Sequence, residues 1–333
     1  MDSDRRNDVP TVADLSPPIL TYPYFEGPNL PAFDPVKAEY SPVNAWWLAE
    51  ASLLAYGGPE LFERVRNTDN LLAREHIRLQ SLDDGHENGV LLLSAEGFVI
   101  VAFRGTRVLG LQDPLVLHKS IEPHVRDVVT DLHFSQVDFV PGKVHRGFLE
   151  AYDKLADQLN NRLANWRERD IWFTGHSLGA ALATIASARD HNFRGLYTFG
   201  SPRVGDEMFG TTFTGKQCFR IVHNNDLVAR LPPPIVPWIP PANYRHVGQL
   251  VFIDRDGMVD PSRDPDSIFD LGTGQVDFES IRQACRDMVD DMAEIIAYRT
   301  SIKNPTNVRV PRNAVTDHAP IYYARHMKNQ LSG

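Results

Sequence analysis

Ile171-Trp-Phe-Thr-Gly-His-Ser-Leu-Gly-Ala180 runs an apolar segment into Gly175-x-Ser177-x-Gly179 and on into an Ala-rich run. An apolar strand that breaks at a glycine-flanked serine and resumes as a helix predicts a sharp, strained turn. A Cβ at either glycine would collide with the elements the turn joins. Ser177 then stands exposed at a helix N-terminus, where the Leu178 amide and the positive end of the helix dipole stabilise an oxyanion. The stretch points to acyl transfer.

Outward from this turn the pattern is strand, helix and strand again, with strands at Leu196–Phe199, Phe219–Val222 and Gln249–Ile253. Upstream, the apolar runs 89–94 and 98–103 flank a turn at Glu96-Gly97 and suit hairpin-linked strands in the middle of a sheet. A further strand is expected at about 134–140. Phe148, Tyr152, Leu155, Leu159, Leu163 and Trp166 recur at helical spacing, and so do Val43, Trp46, Trp47, Ala51, Leu54 and Ala55, a run stopped by Gly57-Gly58-Pro59. Strands alternating with helices predict an α/β fold with a mostly parallel central sheet, and in open sheets of this kind the ligand sits at the carboxyl ends of the strands.

A serine hydroxyl needs a base, normally histidine, and the histidine needs a carboxylate. On a strand-turn-helix elbow the chain order is serine, acid, histidine. Asp226 follows the Phe219–Val222 strand in a polar turn and is the candidate acid. Three histidines come after it. His246 opens a strand and points the wrong way, His326 falls in a helix, and His318, between a Pro-containing loop and Ile321-Tyr322-Tyr323, is the best-placed base. Thr106, just after the 98–103 strand, offers a second oxyanion donor beside Leu178. His145 and His176 flank motifs and suit packing or support of the site; Arg104 and Arg203 suit loop bracing.

The net charge of −9 argues against nucleic acid or an anionic membrane surface held by bulk electrostatics. A hydrophobic fraction of 42% and a mean hydropathy of −0.30 are those of an ordinary globular protein, and no apolar run reaches bilayer length. Two cysteines, Cys218 and Cys285, leave one bridge that sequence cannot test. Met1–Pro10 lacks the apolar core of a secretory signal, so a cytoplasmic or peripheral protein or a processed precursor is expected. No His-Glu-x-x-His or similar ligand spacing is present, and neither metal nor organic cofactor is expected. Residues 1–40, rich in Pro and polar residues, read as an arm laid over the domain or left loose, and 41–333 as one domain.

Val101-Ala-Phe-Arg-Gly-Thr106, Thr130-Asp131-Leu132, Val144-His-Arg-Gly-Phe148 with Ala151-Tyr152, Thr174–Ala180, Tyr197–Gly205 and the segment 222–232 follow one another in an order that resembles the class 3 lipases, the fungal-type triacylglycerol lipases of the α/β-hydrolase fold. The resemblance covers about residues 43–325. It implies Ser177 as nucleophile, Asp226 as acid, His318 as base, Thr106 with Leu178 as the oxyanion hole, and Asp131 holding the Thr106 hydroxyl. Two departures stand out. The segment 107–130 between Thr106 and Asp131 is longer than the family's short lid, with Val128 where a tryptophan is expected. An insertion of about 256–300, with a helix expected at 278–298, lengthens the span between acid and base.

Val108-Leu-Gly-Leu111 and Leu115-Val-Leu117 are too apolar for a solvated loop; they either pack on the domain or form a lid that meets lipid. Pro232–Pro241 reads as a rigid apolar wall. The chain is expected to be an ester hydrolase, most simply a triacylglycerol lipase acting on lipid or ester substrate at a lipid–water interface. A phospholipase A1 or galactolipase, a feruloyl-type esterase, and a non-catalytic interaction scaffold are the alternatives. Oligomeric state is not legible in the sequence.

Overall fold

The structure is a computed structural model that describes residues 14, 17–83, 85, 89–106, 134–190, 192–236, 241–262 and 314–332. In chain order come helices α1 (Pro42–Leu54), α2 (Pro59–Asn67) and α3 (Leu71–Arg74), then strands β1 (Arg78–Asp83), β2 (Gly89–Ser94), β3 (Phe98–Phe103), β4 (Gln136–Asp138) and β5 (Lys143–His145). These are followed by α4 (Arg146–Leu163), β6 (Asp170–His176), α5 (Leu178–Arg189), β7 (Gly195–Phe199), α6 (Glu207–Gly210) and β8 (Cys218–His223). The short β9 (Ile235–Val236) and β10 (Ala242–Asn243), then β11 (Gln249–Ile253), α7 (Ala314–Asp317) and α8 (Pro320–Asn329), complete the order.

Seven strands form one sheet in the order β1-β2-β3-β6-β7-β8-β11. The first three pair antiparallel and the rest parallel, so the sheet is mostly parallel, as the alternation of strands and helices implies. β2, β3 and β7 are buried along their whole length, which is why they read as continuous apolar runs rather than alternating ones. The edge strand β1, Arg78-Leu-Gln-Ser-Leu-Asp83, carries too few apolar residues to be read as a strand from sequence. It forms because β2 offers a free edge. The strand expected at 134–140 is only β4, and it pairs with β5 in a separate ribbon outside the main sheet.

One face of the sheet packs against α1, α8 and the segment that precedes α1; the other packs against α4 and α5. Ser41 caps α1 by accepting from the Asn44 amide at 3.2 Å, and Trp46 and Trp47 are fully buried. Helix α1 is buried on nearly all sides, because Tyr22, Tyr24, Phe25 and Phe33 of the preceding segment lie over it. Glu50, on this helix and fully buried, accepts from the Tyr22 hydroxyl at 2.5 Å, the Phe25 amide at 3.1 Å and the Trp46 indole at 3.3 Å. On the opposite face α4 presents Tyr152, Leu155 and Leu159 to a core shared with Leu182, Ile185 and Phe173. The amphipathic repeat from Phe148 corresponds to α4 together with the 3-10 turn Ala164–Trp166.

Register sets the site. Phe103 lies opposite Gly175, Phe199 opposite His176 and opposite Ile221, and Ile253 opposite His223, so the parallel strands end at a common edge. Thr106, Ser177, Gly200 and Asp226 all follow immediately beyond it.

Candidate active site

Ser177 has φ 59° and ψ −129°, left-handed backbone that a non-glycine residue adopts only where its surroundings hold it there. Its amide is tied to the Phe199 carbonyl at 3.1 Å. The flanking glycines let this happen: a Cβ on Gly175 would strike the Gly179 carbonyl, and one on Gly179 would strike the Phe103 carbonyl. The elbow is thus pressed against the end of β3 as well as strained in itself. Ser177 is the N-cap of the twelve-residue α5, which aims the helix dipole at the space above its hydroxyl.

The Ser177 Oγ lies 2.9 Å from His318 Nε2. His318 Nδ1 lies 2.9 and 2.8 Å from the two oxygens of Asp226. An ionised carboxylate only accepts, so Nδ1 carries the proton and Nε2 is left free to accept from the serine. Asp226 is fully buried, while 18% of the His318 side chain is exposed. His318 therefore reaches the surface of the cleft with its back held in protein. Burial by itself would raise the Asp226 carboxyl, but the charge and hydrogen bond of His318, the Tyr323 hydroxyl and the charge of His176 hold it below the usual aspartate range.

Asp226 also accepts from the Ala229 amide at 3.2 Å and from the Tyr323 hydroxyl at 2.5 Å. Its loop is braced by buried arginines. Arg203 donates to the carbonyls of Arg230 and Pro232, and Arg230 donates to Asn224 O and Asn225 Oδ1 at 3.4 and 3.3 Å. Arg203 has the bracing role read for it.

His176 is buried behind the base. Its Nε2 donates to the His318 carbonyl at 2.6 Å, and its Nδ1 accepts from the Tyr56 hydroxyl at 2.8 Å. Burial and the neighbouring charge of His318 push its pKa well below the usual histidine value, so it is a neutral imidazole with a fixed tautomer. Tyr56 also lies directly under Gly105, where a Cβ would collide with its hydroxyl and with the His176 carbonyl. Tyr56 and His176 thereby join the end of β3, the elbow and the base loop.

Thr106 is exposed at the end of β3, and Leu178 opens α5 beside Ser177. His145 takes the packing alternative. It caps α4, accepting from the Gly147 amide at 3.1 Å, and stacks on Phe148 with ring centroids 4.2 Å apart. Asp131, the 107–130 segment and the helix expected at 278–298 lie outside the described residues. Tyr56, Gly200 and Tyr323 are site residues that sequence reasoning missed. Gly200 falls inside the Tyr197–Gly205 segment that carries the resemblance, whereas only their places in the chain hinted at Tyr56, at the exit of α1, and Tyr323, one turn beyond the base.

A strained serine elbow on a mostly parallel sheet, with a histidine and a buried aspartate in line, defines the α/β-hydrolase class. Residues 100–236 match the family model described as Lipase (class 3), so this stretch of the chain is similar to that family. It is 38% identical over 144 residues to the secreted mono- and diacylglycerol lipase 1 of Fusarium solani, a match covering 39% of this chain and 41% of that protein. It is 28% identical over 200 residues to phospholipase A1-IIgamma of Arabidopsis thaliana, covering 47% of this chain and 46% of the relative. The match therefore spans less than half the length of each of these relatives. Among solved structures, a deletion mutant of the Rhizomucor miehei lipase in its propeptide complex superposes with a TM-score of 0.50 at 20% identity, covering 76% of this chain and 83% of that one, and shows the same fold.

Proposed function

We propose that the chain is a serine carboxylic ester hydrolase acting on lipid esters, most simply a triacylglycerol lipase. The observation that carries this reading is the hydrogen-bonded line from Ser177 Oγ through both ring nitrogens of His318 to Asp226. His318 removes the proton of Ser177 as Oγ attacks the ester carbonyl. The amides of Leu178 and Thr106 hold the oxyanion, and Asp226 stabilises the imidazolium. The C–O bond to the alcohol then breaks, and the alcohol departs with the proton from His318. Water, deprotonated by the same imidazole, releases the fatty acid from the acyl-serine.

In this reading residues 1–40 form an arm, and Asp131 steadies the Thr106 hydroxyl. The apolar 107–130 segment serves as a lid over the acyl site, touching the lipid–water interface transiently, and about 256–300 is an insertion in the hydrolase domain. Among the described residues no helix is long and apolar enough to cross a membrane. The similarity to a protein named as a phospholipase A1 supports a second reading, in which the same chemistry is applied to a phospholipid acyl ester.

An organophosphonate separates catalysis from a purely binding role. Stoichiometric labelling, absent in Ser177→Ala, is expected, and an unlabelled wild-type protein overturns the hydrolase reading. Initial rates on triacylglycerol, phospholipid and short-chain esters side by side choose between the lipase and phospholipase readings. A rate that does not rise as a short-chain ester passes its solubility limit counts against lid-controlled interfacial activation.

A further inference from the structure

Tyr323 is buried at 1% exposure on α8, one turn beyond the base. Its hydroxyl makes two hydrogen bonds whose directions are forced. The His223 amide lies 3.1 Å away and can only donate, so it takes a lone pair of the phenol oxygen. The single phenol proton then points to Asp226 Oδ2 at 2.5 Å. Oδ2 is also the oxygen 2.8 Å from His318 Nδ1. One buried carboxylate oxygen is therefore shared between the phenol and the imidazole.

We infer that Tyr323 is a positioning residue that sets the basicity of the His318–Asp226 pair, acting through Asp226 and touching no substrate. The inference rests on the hydrolase reading above. The phenol bond is strongest when Asp226 carries its full charge beside a neutral imidazole, and it weakens when the imidazolium draws that charge toward Nδ1. It therefore favours the neutral, proton-accepting form of His318. The same bond, with the Ala229 amide on the other oxygen, stops the carboxylate from rotating away from Nδ1. Burial and the charge of Asp226 push the Tyr323 phenol well above the usual tyrosine range, so it remains a donor wherever the enzyme works.

The test is kcat/KM against pH for the full chain with a soluble short-chain ester. Tyr323→Phe is expected to move the midpoint of the acid limb upward by about half a pH unit or more, while plateau activity stays within about tenfold of wild type. Tyr323→fluorotyrosine, a stronger donor of the same shape, is expected to move the midpoint the opposite way; this variant carries the test if the phenylalanine protein does not fold. Midpoints that coincide in all three proteins, or that move in one direction for both variants, overturn the inference. Phosphonate labelling of wild-type Ser177 is run in parallel. Its loss counts against the hydrolase reading, whereas intact labelling with unmoved midpoints counts against the role of Tyr323 alone.

Discussion

The imidazole of His176 lies 4.5 Å, centroid to centroid, from that of His318, and its Nε2 holds the His318 carbonyl at 2.6 Å. The residue before the nucleophile thus fixes the backbone of the base. The base can face Ser177 and Asp226 together only while its main chain stays in place.

Replacing His176 with alanine is expected to lower kcat about ten- to a hundredfold with little change in KM, because the loss misplaces the base without touching substrate. His176→Gln keeps an N–H able to reach the carbonyl and should recover part of the rate. Steady-state kinetics on a soluble ester checks this; a change confined to KM contradicts it.

Thr106→Val keeps the backbone amide and removes only the hydroxyl. A hydroxyl that donates to the oxyanion makes the substitution cost about a hundredfold in kcat. Because Thr106 is exposed, urea-unfolding stability should stay within about 0.5 kcal/mol of wild type. A kcat equal to wild type leaves the amide as the sole donor from this residue.

Gly200 has φ +56°, and a Cβ there would lie 2.6 Å from Asp226 Oδ2 and 3.0 Å from His318 Nδ1. Gly200→Ala therefore carries both a backbone penalty of about 1–2 kcal/mol and a wedge between acid and base. Activity is expected to fall about a hundredfold or more while the protein still unfolds cooperatively. A fully active, merely less stable variant contradicts the wedge.

Burial lowers the His145 pKa to about 4. A depressed folded-state value means that the stability tied to the neutral ring is fully present above the unfolded value, near 6.5, and is lost as pH falls through 4. His145→Asn keeps a cap acceptor for the Gly147 amide but does not titrate. Wild-type stability in urea should therefore fall more steeply than that of the variant between these two pH values, by up to about 3 kcal/mol. Parallel curves would mean that the ring titrates normally.

The elbow was legible because its signal is local. A strand, two glycines, a serine and an Ala-rich helix must be contiguous to make the turn, and all ten residues 171–180 are. The central strands were legible for a related reason, since burial on both faces leaves an apolar run that needs no partner to be seen. Asp226 could be placed because a polar turn after a strand is also local. β1 and the small ribbon of β4 and β5 were not legible as built, because their pairing depends on neighbours distant in the chain.

The sequence by itself determined the strained serine turn, the mostly parallel direction of the central strands and the chemical types available for a relay. Tertiary structure alone decided which partners meet: His318 with Asp226 across 92 positions, Tyr323 with the same carboxylate across 97, and Tyr56 with His176 across 120. Those meetings come from strand register and from the packing of α1 and α8 on one face of the sheet. The energy that selects them is the burial of whole faces, and no pattern local to Tyr56 or Tyr323 records it.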